Sequence, residues 1–270
     1  MIAVSGTFHL ARNESLLLLL LFLLLFPLSI FSEDEWFPEQ LKNLIKPCQW
    51  EKRNLGTEFH TSVEVSAEST YPRLYGDGLL IEHVNKKLEG LANKVFKDFV
   101  DHEKHTQEEH NDDFGGCYLS YHLFPVQCLP NLISIYGFEF QHRACPHGWT
   151  HYEGRNFWQN KDTIVEISLS DLFLKKSDWC NFLLQYCVHH FKSTRYGYYA
   201  SDDGYIPELE PEDLEIFVLS ERELVIIFRS YRVGGWADGP DVIAIPYYKL
   251  KEFINPKGPL KELPVIISLF

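Results

Sequence analysis

Apolar positions follow several distinct patterns along the chain. Residues 16–26 are apolar without interruption, all Leu except Phe22 and Phe26, and Leu28, Ile30 and Phe31 continue the run past Pro27. Residues 33–58 are polar and irregular, with an aromatic start at Trp36 and Phe37. Val63 and Val65 alternate with polar residues, as in a half-buried strand. The period then changes. Leu80, Val84, Leu88, Leu91, Val95 and Phe99 recur at steps of three and four, which predicts a long amphipathic helix with Asp77 placed to cap it. It runs into a charged stretch over residues 101–113. Residues 118–124 and 132–140 predict two strands of a hairpin, with Pro125 and Pro130 bracketing its loop. Residues 163–169 predict a further strand, and Ser170 and Asp171 a turn.

The second half follows the same logic without repeating the sequence. Ser177 or Asp178 caps a second helix. Trp179, Leu183, Tyr186 and His190 line one face of it, and Cys180, Leu184, Cys187 and Phe191 the next. So wide an apolar surface predicts a buried helix. Pro211 opens a brief helix with Glu212 and Asp213 at its positive end. Residues 215–219 and 224–228 predict a tight hairpin, and residues 242–245 a strand ended by Pro246. Strand runs interrupted by helices, without βαβ periodicity, predict an α+β fold. In it, antiparallel strands and hairpins pack with two main helices as two interlocked subdomains. The expected divisions are a signal peptide or anchor over 1–32, a linker over 33–58, subdomains over 59–175 and 176–257, and a tail over 258–270.

The leader sets the compartment. Its stretch of 16 residues, 16–31, falls short of the roughly 20 that a membrane-spanning helix needs. They suit a signal-peptide core broken by Pro27, with Ser32 as a tolerable cleavage position. The chain is therefore expected to be exported to a periplasm or cell surface, membrane-anchored if the leader is retained. Six cysteines, an even number, accord with disulfides outside the cytoplasm, with free buried thiols as the competing reading. Cys180 and Cys187 share a helix about 10 Å apart and cannot bridge each other. A net charge of −13 repels nucleic acid and attracts basic proteins, while serving solubility in any case.

Candidate chemistry is sparse. His147 and His151 are four apart, but Gly148, Trp149 and Thr150 lie between them and no general-base Glu accompanies them. His102, His105 and His110 lie in an acidic run that reads as a solvated helix end. No nucleophile elbow, phosphate loop or dinucleotide fingerprint occurs. No catalytic residue, metal or cofactor is therefore expected. Aromatic residues beside Gly and Asp are better candidates, as anchors of a protein interface. These are Trp149, Tyr231 and Trp236, with Gly235 and Asp238 beside Trp236. Trp236 stands in Gly-Gly-Trp-Ala-Asp-Gly-Pro, where little else would shield it.

Several motifs carry a family resemblance. Residues 211–219 lead into Leu224-Val225-Ile226-Ile227-Phe228, then Tyr231, Val233, Gly234, Ala237 and Gly239, and then Ile245-Pro246-Tyr247 with Leu250. This resembles the domain-of-unknown-function 3298 family, as in the extracellular part of RsiV-type lysozyme-sensing anti-sigma factors. Residues 131–135, His147-Gly148, Asn156-Phe157 and residues 167–173 resemble the domain that precedes it in RsiV-type and PdaC-type proteins. Arg143-Ala144-Cys145-Pro146 stands where the family usually has Gly-Gly-Ala. Only 15 residues precede Leu16, so an anti-sigma role is not carried over, nor is a deacetylase activity. The resemblance implies an exported, non-catalytic binding module whose partner is lysozyme or another basic wall-active protein. A cell-wall-associated hydrolase or deacetylase accessory enzyme is the alternative. No nucleic acid is expected, and a membrane is met only through an uncleaved leader.

Overall fold

A computed structural model describes residues 38, 41, 48–105, 115–143, 147–194, 208–233 and 239–268. Its centre is a six-stranded sheet in the order β1 (Trp50–His60), β2 (Glu64–Leu74), β3 (Cys117–Leu129), β4 (Leu132–Arg143), β5 (Trp149–Asn160) and β6 (Thr163–Glu166). Each strand pairs antiparallel with its neighbour except β2 and β3, which run parallel across the crossover helix α1 (Leu79–His105). A second helix, α2 (Trp179–Thr194), precedes a three-stranded antiparallel sheet of β7 (Phe217–Leu219), β8 (Glu223–Phe228) and β9 (Asp241–Pro246). Two one-turn helices follow, α3 (Tyr247–Leu250) and α4 (Pro264–Ile267). The predicted α+β class holds.

The period-two rule sorts the central sheet into two cores. On one face, Val65 and Ala67 of β2, Leu119 and Leu123 of β3, and Ile133 and Ile135 of β4 meet Leu80, Val84, Leu88, Ala92 and Phe99 of α1. Ser69 sits among them and donates its hydroxyl to the Ala92 carbonyl at 3.2 Å. On the other face, Leu132 joins a core built from α2, the three-stranded sheet and the C-terminal helices. Polar side chains fasten these layers. Asn156 of β5 donates to the Phe217 carbonyl at 2.9 Å, and Ser134 of β4 accepts from the Leu219 amide at 2.9 Å.

Several local expectations change. Residues 50–58, read as the end of an irregular linker, belong instead to the edge strand β1. Pro125 lies inside β3 rather than in a loop, because a bulge between Pro125 and Gln127 absorbs the break in pairing. The hairpin turn is only Pro130-Asn131. The strand expected over 163–169 stops at Glu166 and gives way to a 3-10 turn at Leu169–Leu172. Helix α2 fully buries Leu183, Cys187 and Phe191, leaving its other apolar residues at the edge of the core. Leu260, Leu263 and Ile266, where no element was expected, are also core residues. A disulfide joins Cys48 to Cys128, while Cys180 and Cys187 are free thiols. Cys145 lies outside the described residues. Burial pushes the Cys187 thiol up to about 12, so it packs as a small apolar side chain.

Candidate functional site

The upper ends of β4 and β5 carry a polar row on the α1-facing side of the sheet. Glu139 pairs across the strands with His151, and Gln141 with Trp149. These four side chains form one two-by-two tile, since directly opposed residues share a face. Gln141 donates through Nε2 to Glu139 Oε1. Its own Oε1 accepts from Arg143 Nε and Nη2 at 3.2 and 3.1 Å. Glu139 is 9% exposed, and burial pushes its carboxyl above the usual range against the pull of the Gln141 bond. Burial likewise lowers the His151 pKa, favouring the neutral imidazole. Trp149 is 55% exposed, yet its indole lies parallel to the His151 ring, with centroids 5.6 Å apart.

Below the tile the charges are matched. Gly137 faces Glu153, and a Cβ there would fall 2.4 Å from Glu153 Cγ. The bare glycine lets Glu153 lie over the neighbouring strand and accept from the Tyr121 hydroxyl. Arg155 donates to Glu153 at 2.6 Å and to Glu166 at 2.8 Å. Arg143 reaches the fully buried Glu103 at 3.3 Å. Two arginines thus balance the carboxylates closest to them.

The turn after β8 approaches the same end of β5. Tyr152 and Ser230 share a hydrogen bond at 3.1 Å, and the charge of Arg229 acts on His151. Tyr231 is 68% exposed and takes φ 67°, a left-handed conformation that costs a non-glycine residue of order 1 kcal/mol. Its flanks are held. Arg232 bonds Asp213 and the Glu208 carbonyl, and Val233 is buried. Of the five residues singled out from sequence, Trp149 and Tyr231 are therefore exposed aromatics on elements joined by the Tyr152–Ser230 bond. Gly235, Trp236 and Asp238 lie outside the described residues.

Glu139, Gln141 and Glu153 escaped the sequence reading. Their signal was the alternation of Phe138-Glu139-Phe140-Gln141 against Trp149, His151, Glu153 and Arg155, legible once both segments are taken as paired strands. His151 stands in β5, whereas His147 precedes the strand and is exposed. His105 bonds the Asp101 carbonyl at 2.7 Å through Nδ1, within its own helix end. Among the described residues no three His, Cys, Asp or Glu side chains come together as a metal site, and no helix is long and apolar enough to cross a membrane.

Comparison with known proteins places this geometry in context. No curated protein matches the chain. Among solved structures, a DUF3298 family protein from Pseudomonas aeruginosa PAO1 superposes with a TM-score of 0.57 at 11% identity, covering 79% of this chain and 97% of that one. A member of the same family from Bacteroides fragilis NCTC 9343 gives 0.49 at 14% identity, covering 82% and 98%. At 11% identity the first likeness concerns the fold alone. Residues 170–248, which hold α2, the three-stranded sheet and Tyr231 but not the tile, match the family described as "Protein of unknown function (DUF3298)". Residues 170–248 of this chain thus match the DUF3298 family model, and the fold is similar to that of a DUF3298 family protein.

Proposed function

We propose that the chain is an exported, non-catalytic binding module that captures a basic protein, with lysozyme or a similar wall-active enzyme as the first candidate. The observation that carries this reading is the pair of exposed aromatics, Trp149 and Tyr231, on adjoining elements tied by the side-chain bonds Tyr152–Ser230 and Arg232–Asp213. Large rings presented on a fixed frame lose little entropy on binding and are frequent hot spots. The net charge of −13 would speed the approach of a basic partner, and salt would slow it. The Cys48–Cys128 disulfide suits an oxidising compartment, as does the apolar leader. Gly235, Trp236 and Asp238 extend the same contact in this proposal.

Surface plasmon resonance of the full chain against lysozyme, with cytochrome c as an equally basic control, tests it. Lysozyme alone should bind saturably. Tyr231→Ala should weaken that binding by on the order of 2 kcal/mol, chiefly through faster dissociation. Equal binding of both proteins, or of neither, would refute the proposal.

A further inference from the structure

The tile of Glu139, Gln141, Trp149 and His151 has a chemistry that contact with a basic protein does not use. From its geometry we infer that it is a carbohydrate site, which takes a neutral pyranose with one face of the sugar ring against the indole of Trp149.

Three observations lead there. The first is the presentation of the indole. Trp149 is more than half exposed but lies flat against His151. A broad apolar ring is thus held in one orientation beside polar groups. A pyranose offers the complement, an apolar face of C–H bonds rimmed by hydroxyls. Its width is close to the spacing of two adjacent strands, about 4.8 Å.

The second is the hydrogen-bonding character of the floor. Glu139 uses Oε1 for Gln141, and its Oε2 has no partner among the described residues. The His151 ring nitrogens likewise have no hydrogen-bond partner among the described residues. A neutral imidazole offers one donor and one acceptor, and a carboxylate offers acceptors only. Sugar hydroxyls both donate and accept, so one ring can satisfy both neighbours. Glu139 is held by Gln141, and Gln141 by Arg143, so the floor is preorganised.

The third is charge. Glu153 is matched by Arg155 and Glu103 by Arg143. Arg229 adds a further positive charge within reach of His151. The surroundings therefore offer neither an unopposed acidic pocket for a cation nor an unopposed basic one for an anion. A neutral polyhydroxylated ligand matches that balance.

This site shares Trp149 with the proposed protein contact but is separable from it, because Glu139 and His151 belong to the tile alone and Tyr231 to the protein contact alone. The test titrates the full chain with cellotetraose, chitotetraose and mannotetraose, using saturation-transfer NMR and isothermal titration calorimetry. At least one of them should bind saturably. Trp149→Ala should weaken it at least about tenfold, while Trp149→Phe, which keeps a ring, should stay within about threefold of the parent. Glu139→Gln and His151→Ala should each weaken it several-fold. Tyr231→Ala should leave it unchanged, even if the same variant loses lysozyme in the resonance assay. Circular dichroism melts confirm that each variant is folded. No saturable binding of any of the three oligosaccharides would overturn the inference. So would binding that Trp149→Ala and Glu139→Gln both leave at the parent value. Neither result bears on lysozyme capture through Tyr231.

Discussion

Gly154 lies directly against the backbone of β7, and replacing it with alanine is a sharp perturbation of the layered fold. A Cβ at this position would lie 2.0 Å from the Phe217 carbonyl oxygen and 2.7 Å from its carbon. Ordinary contact begins at 3.4 Å, so β7 would have to retreat by 1.4 Å (3.4 minus 2.0). Both sides of the contact are backbone, so no side chain can swing away to relieve it. The retreat strikes two bonds that fasten the layers, Asn156 to Phe217 and Leu219 to Ser134, both at 2.9 Å and both buried. Overpacking of this kind costs about 1–3 kcal/mol, and each loosened buried bond about 1 kcal/mol more. The expected loss is therefore about 3–5 kcal/mol, a large share of the roughly 5–15 kcal/mol that holds a domain together. Urea unfolding measures it. With a slope of about 3 kcal/mol per molar, the midpoint should fall by about 1–1.7 M with the slope unchanged. Gly90→Ala is the control. That glycine lies within α1 with no atom within 4 Å of the added methyl, so alanine there should stabilise by about 0.5–1 kcal/mol. A Gly154→Ala protein within 1 kcal/mol of the parent, by the same measure, would refute the close apposition of the sheets.

Other consequences can be checked separately. Cys48→Ala opens a covalent loop with a sequence separation of 80, and the chain-entropy relation puts the loss at about 4.5 kcal/mol in thermal or urea unfolding. Reductant should lower the parent at least to the level of the variant. Burial raises the Glu139 pKa in the folded state, so its contribution is fully present below the unfolded value and is lost as pH rises through the folded one. Glu139→Gln should therefore melt higher than the parent at pH 7.5, with the gap closing toward pH 4, about the unfolded glutamate value. At Asp213, burial pushes the carboxyl up but the Arg232 bonds hold it below its usual range. Its stabilisation is present above the unfolded pKa and lost as pH falls through the lowered one, so Asp213→Asn should flatten the acid side of the stability profile.

How legible each element was follows from what its side chains face. The spacing of Leu80, Val84 and Leu88 announced α1 because one stripe of that helix meets a core and the rest meets water. The β3–β4 hairpin was visible for a similar reason, though Pro125 seemed to end a strand that a bulge in fact carries onward. β1 was missed because it is an edge strand, with only Trp50, Leu55 and Phe59 packing inward among charged residues. β5 was missed for a different reason. One of its faces carries Trp149, His151, Glu153 and Arg155, and the other spends Asn156 and Gly154 on contact with β7. Its apolar alternation is overwritten by the tile and by bonds between layers. That is also why the polar half of the candidate site was hidden. Trp149 and Tyr231 were legible as single residues, but that their elements adjoin depends on the Tyr152–Ser230 bond, which joins positions 78 apart.

The single parallel pairing in the central sheet has a consequence for how fast the chain reaches this structure. Every other neighbour in that sheet follows its partner directly in sequence, so β1–β2 and β3–β6 can each form as a local ribbon. Only β2 and β3 must find each other at a distance, Val65 meeting Cys117 across 52 positions (117 minus 65). Long-range pairing of this kind slows folding, because chain entropy is lost before the contacts that offset it have formed. Helix α1 fills the interval and packs on both ribbons, so its formation shortens the search. The Cys48–Cys128 bond ties the approach to β1 to the end of β3, on opposite sides of that seam. Once closed, it confines the two ribbons to a common volume. Oxidised chains should therefore regain their structure faster after dilution from denaturant than reduced ones, and the difference should disappear for steps that follow the joining of β2 to β3.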